Sequence, residues 1–109
     1  MATLTVYTTA LDGVTPSYVA ATGGGDDFVN STNTLLHIKN GSGGDITVTV
    51  NSLKSCSYGF DHDSVTVVTA GSEEIVGPFD TKRFNDSNGK AAITYSGVTS
   101  LTIAAFKLA

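Results

Sequence analysis

Asp61-His62-Asp63 is the densest run of ligating side chains in the sequence and the first place to look for chemistry. On a strand its two carboxylates share one face and the imidazole takes the other. On a loop all three can converge on a cation, and Asp oxygens suit Ca2+ best. A closed site needs further donors, and the sequence spaces none to supply them. The expectation is no metal site. His37 stands between Leu36 and Ile38 in an alternating run. It therefore takes the opposite face and is expected to look toward solvent or an interface, not to act as a general base. Ser, His and Asp are all present, yet no Gly-x-Ser-x-Gly elbow occurs. Alternation sends Glu73 and Glu74 to opposite faces, a poor geometry for paired-carboxylate glycosidase chemistry.

Gly23-Gly24-Gly25-Asp26-Asp27 superficially suggests a phosphate loop. It lacks the Gly-Lys-Ser/Thr ending and a following helix, and its carboxylates repel phosphate, so a flexible, solvated acidic loop is expected. Cys56 is the single cysteine, which excludes an internal disulfide and a zinc knuckle. Asn30-Ser31-Thr32, Asn40-Gly41-Ser42 and Asn85-Asp86-Ser87 fit the glycosylation pattern. The N-terminal run has no basic region or long apolar stretch, so it reads as no signal peptide and these matches as coincidence. The residues thus name no catalytic group, no cofactor and no metal ligand, and the expectation is a protein that is not an enzyme.

Stepwise positioning of any site falls to strands. The chain has 109 residues, enough for one domain spanning 1–109 with one core. Charged residues are 15% of it, against roughly 25% in ordinary globular domains. Net charge −4 and a pI near 4.7 argue against nucleic-acid partners and against a polybasic membrane surface. No run approaches the roughly 20 apolar residues of a membrane span.

Leu36 and Ile38, then Ile46, Val48 and Val50, alternate with polar residues on either side of Asn40-Gly41-Ser42-Gly43-Gly44-Asp45. Two period-2 runs around a Gly/Asn/Asp reversal predict a β-hairpin over Leu35–Val50. Further strands are predicted at Leu4–Tyr7, Ser17–Ala20, Phe28–Val29, Val65–Val68, Glu73–Val76, Lys90–Tyr95 and Val98–Leu108. Turns are expected at Leu11-Asp12-Gly13, Ala70-Gly71-Ser72 and Ser96-Gly97, with Asn88-Gly89 as a type I′ hairpin dipeptide. Asp80–Asn85 fits one helical turn or a loop. The result is an all-β, antiparallel β-sandwich of jelly-roll or immunoglobulin-like type with about eight strands.

Several polar strand faces carry Thr and Ser instead of charge, so edges lack their usual Lys, Glu and Pro guards. Some of that surface is expected to be covered by other copies or by a larger assembly. Tyr18, Phe28, Phe79 and Phe84 lie near loops and strand ends, and Arg83 adjoins Phe84. Most aromatics of such a domain are core, and those left exposed, with Arg83, are the candidate interface residues.

LLHIKNGSGGDITVTV (Leu35–Val50) and VTVVTAGSEEIVGPFDTKRFNDSNGKAAITYSGVTSLTIAA (Val65–Ala105) resemble a group of small virion proteins of tailed bacteriophages and prophages. Gly77-Pro78-Phe79, Phe84-Asn85-Asp86 and Asn88-Gly89 carry the most specific part of the likeness. The resemblance implies a decoration (cement) protein that binds the major capsid protein on the capsid exterior of the virion, made in the host cytoplasm and self-associating, for example as a trimer. A tail-tube or head–tail joining component is the nearest alternative, and a carbohydrate- or cell-surface-binding β-module the next. No catalytic or ligand residue comes with the resemblance.

Overall fold

A computed structural model describes residues 2–52 and 63–108. Ten strands and one helical turn follow in order: β1 (Ala2–Leu4), β2 (Val6–Thr8), β3 (Val19–Ala20), β4 (Asp26–Val29), β5 (Thr34–Asn40), β6 (Ile46–Val50), β7 (Ser64–Val68), β8 (Glu73–Val76), α1 (Thr81–Phe84), β9 (Lys90–Tyr95) and β10 (Leu101–Lys107). They form a two-layer β-sandwich measuring 37 × 36 × 20 Å. The first sheet runs β1-β4-β9-β6-β7 and the second β2-β10-β5-β8, with β3 also on β10. Most pairs are antiparallel, but β1 runs parallel to β4 and β2 parallel to β10. The predicted first strand is therefore two strands, and the chain passes from one sheet to the other at Thr5.

Alternation sends one side of each long strand inward. Leu36 and Ile38 of β5 and Leu101, Ile103 and Ala105 of β10 meet Phe28, Val48, Val50, Val68 and Ile93 of the other sheet. All ten are at most 2% exposed, so apolar burial is concentrated in one continuous layer.

The predicted hairpin over Leu35–Val50 is not one. Both strands form where expected, but β5 pairs with β10 and β8, while β6 pairs with β7 and β9. Residues 41–45 carry the chain across the core between facing sheets. Asn40, 2% exposed, makes that crossing possible. Its Nδ2 donates to Gly44 O and Val68 O, both at 2.8 Å. Its Oδ1 accepts from Ser42 N at 2.9 Å and Ser42 Oγ at 2.6 Å. The amide thus does inside the arch what a cross-strand ladder does in a hairpin. Its backbone N–H donates to Ser72 O at 2.9 Å, which ties this arch to the β7–β8 connection, itself a second crossing. Among the described residues, only β2–β3 and β6–β7 of the consecutive pairs stay within one sheet.

Asn88-Gly89 also differs from a type I′ hairpin. Gly89 has φ 75°, whereas Asn88 is not at positive φ. Gly89 N donates to Asp86 O, and Asp86 N to Lys90 O. Asp86 Oδ1 accepts from Asn88 N at 2.8 Å and Lys90 N at 3.0 Å, so a side chain organises this turn. Those backbone donors, Lys90 N first and Asn88 N next, hold the Asp86 carboxyl below its usual range.

Candidate functional site

Three of the five expected interface residues are core. Phe28 is fully buried, and Phe79 and Phe84 are 3% and 6% exposed. Their rings stack in series, with centroids 5.7 Å apart for Phe28–Phe79 and 5.5 Å for the edge-on Phe79–Phe84 pair. An interface role for them is corrected on that ground: a turn at a strand end lies over the open end of a sandwich, and large rings plug it. The Gly77–Gly89 segment builds this plug. Gly77 takes φ 125°, where an added Cβ would lie 3.0 Å from Thr34 O. Asp80 caps α1 by accepting from Lys82 N at 2.9 Å. Asn85 and Asn30 exchange bonds, Asn30 Nδ2 to Asn85 Oδ1 at 2.7 Å and Asn85 Nδ2 to Asn30 O at 3.0 Å. The most specific stretch of the resemblance is thus structural. Arg83 is exposed on α1 and remains available to a partner.

Tyr18, half-buried, belongs to a polar chain on the outward side of the second sheet. Its hydroxyl bonds His37 Nδ1, and His37 Nε2 lies 3.1 Å from Glu73 Oε1. An ionised Glu73 only accepts, so Nε2 carries a proton; in the neutral ring Nδ1 then accepts and the Tyr18 hydroxyl donates. Lys39 Nζ sits 3.9 Å over the Tyr18 ring, and His37 meets it edge-on at 5.4 Å. His37 faces outward as expected, and Tyr18 and Glu73 leave its side chain 16% exposed. Glu73 was legible only as one of an acidic pair; its place opposite Lys39, two residues along from His37 on the same side, comes from the β5–β8 ladder. Thr9, Val14, Pro16, Tyr18, Ile75 and Phe106 wall a groove of about 240 Å3 beside this chain. Such an arrangement can hold a small polar group against apolar walls.

The Gly-rich loop is not the flexible, solvated acidic segment expected from sequence. Gly25 N donates to Thr22 O at 2.8 Å, and a Cβ on Gly25 would stand 2.6 Å from Ile93 O. Asp26 turns inward and is 1% exposed. Its Oδ2 accepts from Tyr95 Oη at 2.7 Å and Thr22 N at 3.1 Å, and its Oδ1 from Ala2 N at 3.3 Å. Burial works to raise the Asp26 pKa, but the Tyr95 and Thr22 bonds outweigh it and hold the carboxyl below its usual range. Burial, then the bond to Asp26, pushes Tyr95 far above the usual tyrosine value. This network fastens β1 and the loop to the core and engages both oxygens of the Asp26 carboxylate.

The outward side of the first sheet offers the contrasting surface. Val29, Thr47, Thr49, Thr94, Val65 and Val67 spread over four strands, with Asp27 and Lys90 at one side. Val29, Val65 and Val67 are 51%, 62% and 50% exposed. Thr47 opposes Val67, and Thr49 sits between Val65 and Thr94.

Of Asp61-His62-Asp63, only Asp63 lies within the described residues, where its Oδ1 accepts from Ser52 N at 2.6 Å. Cys56 lies outside them. Among the described residues no three His, Cys, Asp or Glu side chains converge. Among the described residues no helix is long and apolar enough to cross a membrane. Compared with protein-family models, curated proteins and solved structures, the chain matches none.

Proposed function

We propose that this chain is a non-enzymatic structural protein of a tailed-phage virion, a decoration protein that binds the major capsid protein on the outside of the head. The observation that carries the reading is the flat Thr/Val side of the first sheet. It is wide, nearly uncharged and rigidly backed by the core, which suits burial against another protein more than exposure to water. The resemblance of Leu35–Val50 and Val65–Ala105 to small virion proteins supplies the partner. A net charge of −4 suits a position outside the shell, since a lining against packaged DNA is better served by basic groups. Each copy would join neighbouring capsid subunits, and symmetry would multiply modest contacts into avidity.

Mixing the purified protein with mature heads that lack it, then counting bound copies, tests this. Saturable binding of on the order of hundreds of copies per head supports decoration; about a dozen or fewer points instead to a neck or tail component. No binding removes both readings. The groove beside Tyr18 and Phe106 favours a second reading, a carbohydrate- or cell-surface-binding module, for which titration with glycans and loss of binding in Tyr18→Ala is the test.

A further inference from the structure

The sequence contains two Asn-Gly dipeptides, Asn40-Gly41 and Asn88-Gly89. Each is a reactive pair, because the backbone nitrogen after an Asn can attack the Asn side-chain amide, and a glycine there has no Cβ to hinder it. The fold treats the two differently. Asn40 is 2% exposed, and its amide is held by four hydrogen bonds, to Gly44 O, Val68 O and both Ser42 donors. Gly41 N donates to Ser100 O at 2.9 Å, and a Cβ on Gly41 would stand 3.3 Å from that oxygen, so a ring there has little room. Asn88, by contrast, is exposed. A Cβ on Gly89 would meet no described atom within 4 Å. The bonds that shape this turn are local: Gly89 N to Asp86 O at 3.1 Å, with Asn88 N and Lys90 N on Asp86 Oδ1. Asp86 is itself exposed, so opening these bonds disturbs no core packing.

We propose that Asn88 is a site of spontaneous covalent modification in the folded protein, and that the arch protects Asn40 from the same reaction. The step needs only water and hydroxide. Hydroxide removes the Gly89 amide proton, and the nitrogen attacks Asn88 Cγ. The bond from Cγ to the side-chain nitrogen breaks; that nitrogen takes protons from water and leaves as ammonia, which returns the hydroxide. The resulting succinimide joins residues 88 and 89 in a five-membered ring. Water then opens the ring at either carbonyl and leaves aspartate or isoaspartate at position 88. Nothing is oxidised or reduced. Either product adds one negative charge to a chain of net charge −4. Isoaspartate also inserts a methylene into the main chain, between two residues whose N–H groups both bond Asp86. That lengthening works Gly89 N and Lys90 N away from Asp86 and loosens the turn between α1 and β9. The inference does not rest on the capsid reading, since it concerns the purified chain alone.

Peptide mapping by mass spectrometry tests it, on chain kept folded in warm, mildly alkaline buffer and on the same chain unfolded in urea. Sampling runs until Asn40 of the unfolded chain is half converted, which sets the clock for both samples. In the folded chain Asn88 is expected to convert within about tenfold of its unfolded rate, since one exposed hydrogen bond must open. Asn40 is expected to slow more than about a hundredfold, since its arch opens only with much of the core. Asn85 shares the tryptic peptide with Asn88, so Asn88→Ser is the control and is expected to leave that peptide unconverted. A folded chain in which Asn88 is slowed as much as Asn40 overturns the proposal. So does one in which Asn40 keeps pace with Asn88, or conversion of the shared peptide that survives Asn88→Ser. Asn88→Asp adds the charge without the methylene and is expected to melt with the wild type, while the isolated isoaspartyl fraction melts lower. An isoaspartyl fraction that melts with Asn88→Asp overturns the loosening of the turn.

Discussion

The outward side of β5 carries His37 and Lys39, and the outward side of β6 carries Thr47 and Thr49, although both strands put the same kind of residue inside. On the second sheet the outward polar groups bond one another, from Tyr18 through His37 to Glu73, and hold Tyr18 against the strands. On the first sheet nothing comparable covers the Thr/Val side among the described residues. Among the described residues, the second sheet's outward side carries Tyr18 of the preceding segment and the first sheet's carries no such cover. A face engaged by its own chain is a poor place for a large partner, while a broad face that is nearly uncharged is a good one.

Substitutions break or sharpen that contrast. Phe79→Ala empties the plug shared by both sheets and is expected to cost about 4 kcal/mol by urea unfolding, erasing both faces together. If Phe79 instead served a partner, stability would hardly change. Asn40→Ala removes four bonds within the arch and leaves Gly44 O and Val68 O without this donor; a loss of about 3 kcal/mol is expected. Asp26→Asn is expected to cost about 2 kcal/mol at neutral pH. Because the folded Asp26 pKa is depressed, its contribution is complete above the unfolded value near 3.8 and fades as pH falls through the lower folded value. The gap between wild type and Asp26→Asn should therefore close in acid, which unfolding curves at stepped pH would show.

Tyr18→Phe breaks the polar chain on the second sheet alone. About 1 kcal/mol is expected, with faster amide exchange over residues 9–18 and no change in capsid binding. Thr49→Lys, at the centre of the first sheet's outward side, should leave stability nearly unchanged while abolishing capsid binding. Reversal of these last two effects would exchange the roles assigned to the faces.

Much of the strand pattern is legible in the sequence, because period-2 burial is a local property. β9 runs over Lys90–Tyr95 as expected, and β7 and β8 fall within a residue of their expected limits. Partnership is not local. Leu36/Ile38 and Val48/Val50 report that one side of each strand is buried, and that is equally true of a hairpin and of two strands facing each other across a core. A five-residue Gly-rich connection serves either arrangement, so the deciding residue was Asn40, whose polar side chain gives no warning that it is buried. The Phe residues misled for the same reason: adjacency to a turn says where a ring enters the fold, not which way it points. Arg83 and Tyr18 stayed near the surface, and the Tyr18–His37–Glu73 chain joins residues from three strands' worth of separate sequence. The outward Thr and Val positions were readable as an absence of charge, but only the sheet order gathers them on one face.

The parallel run of β2 beside β10 has a mechanical consequence. Tension applied through the residues before Val6 and after Lys107 draws the two strands in opposite directions along a shared axis. Their hydrogen bonds are then loaded together in shear, not peeled one at a time, so rupture must break the whole set at once. A fold clamped in this way resists stretching between those two points far better than it resists a pull across the sheet, and a shell tied together along that axis would inherit the stiffness.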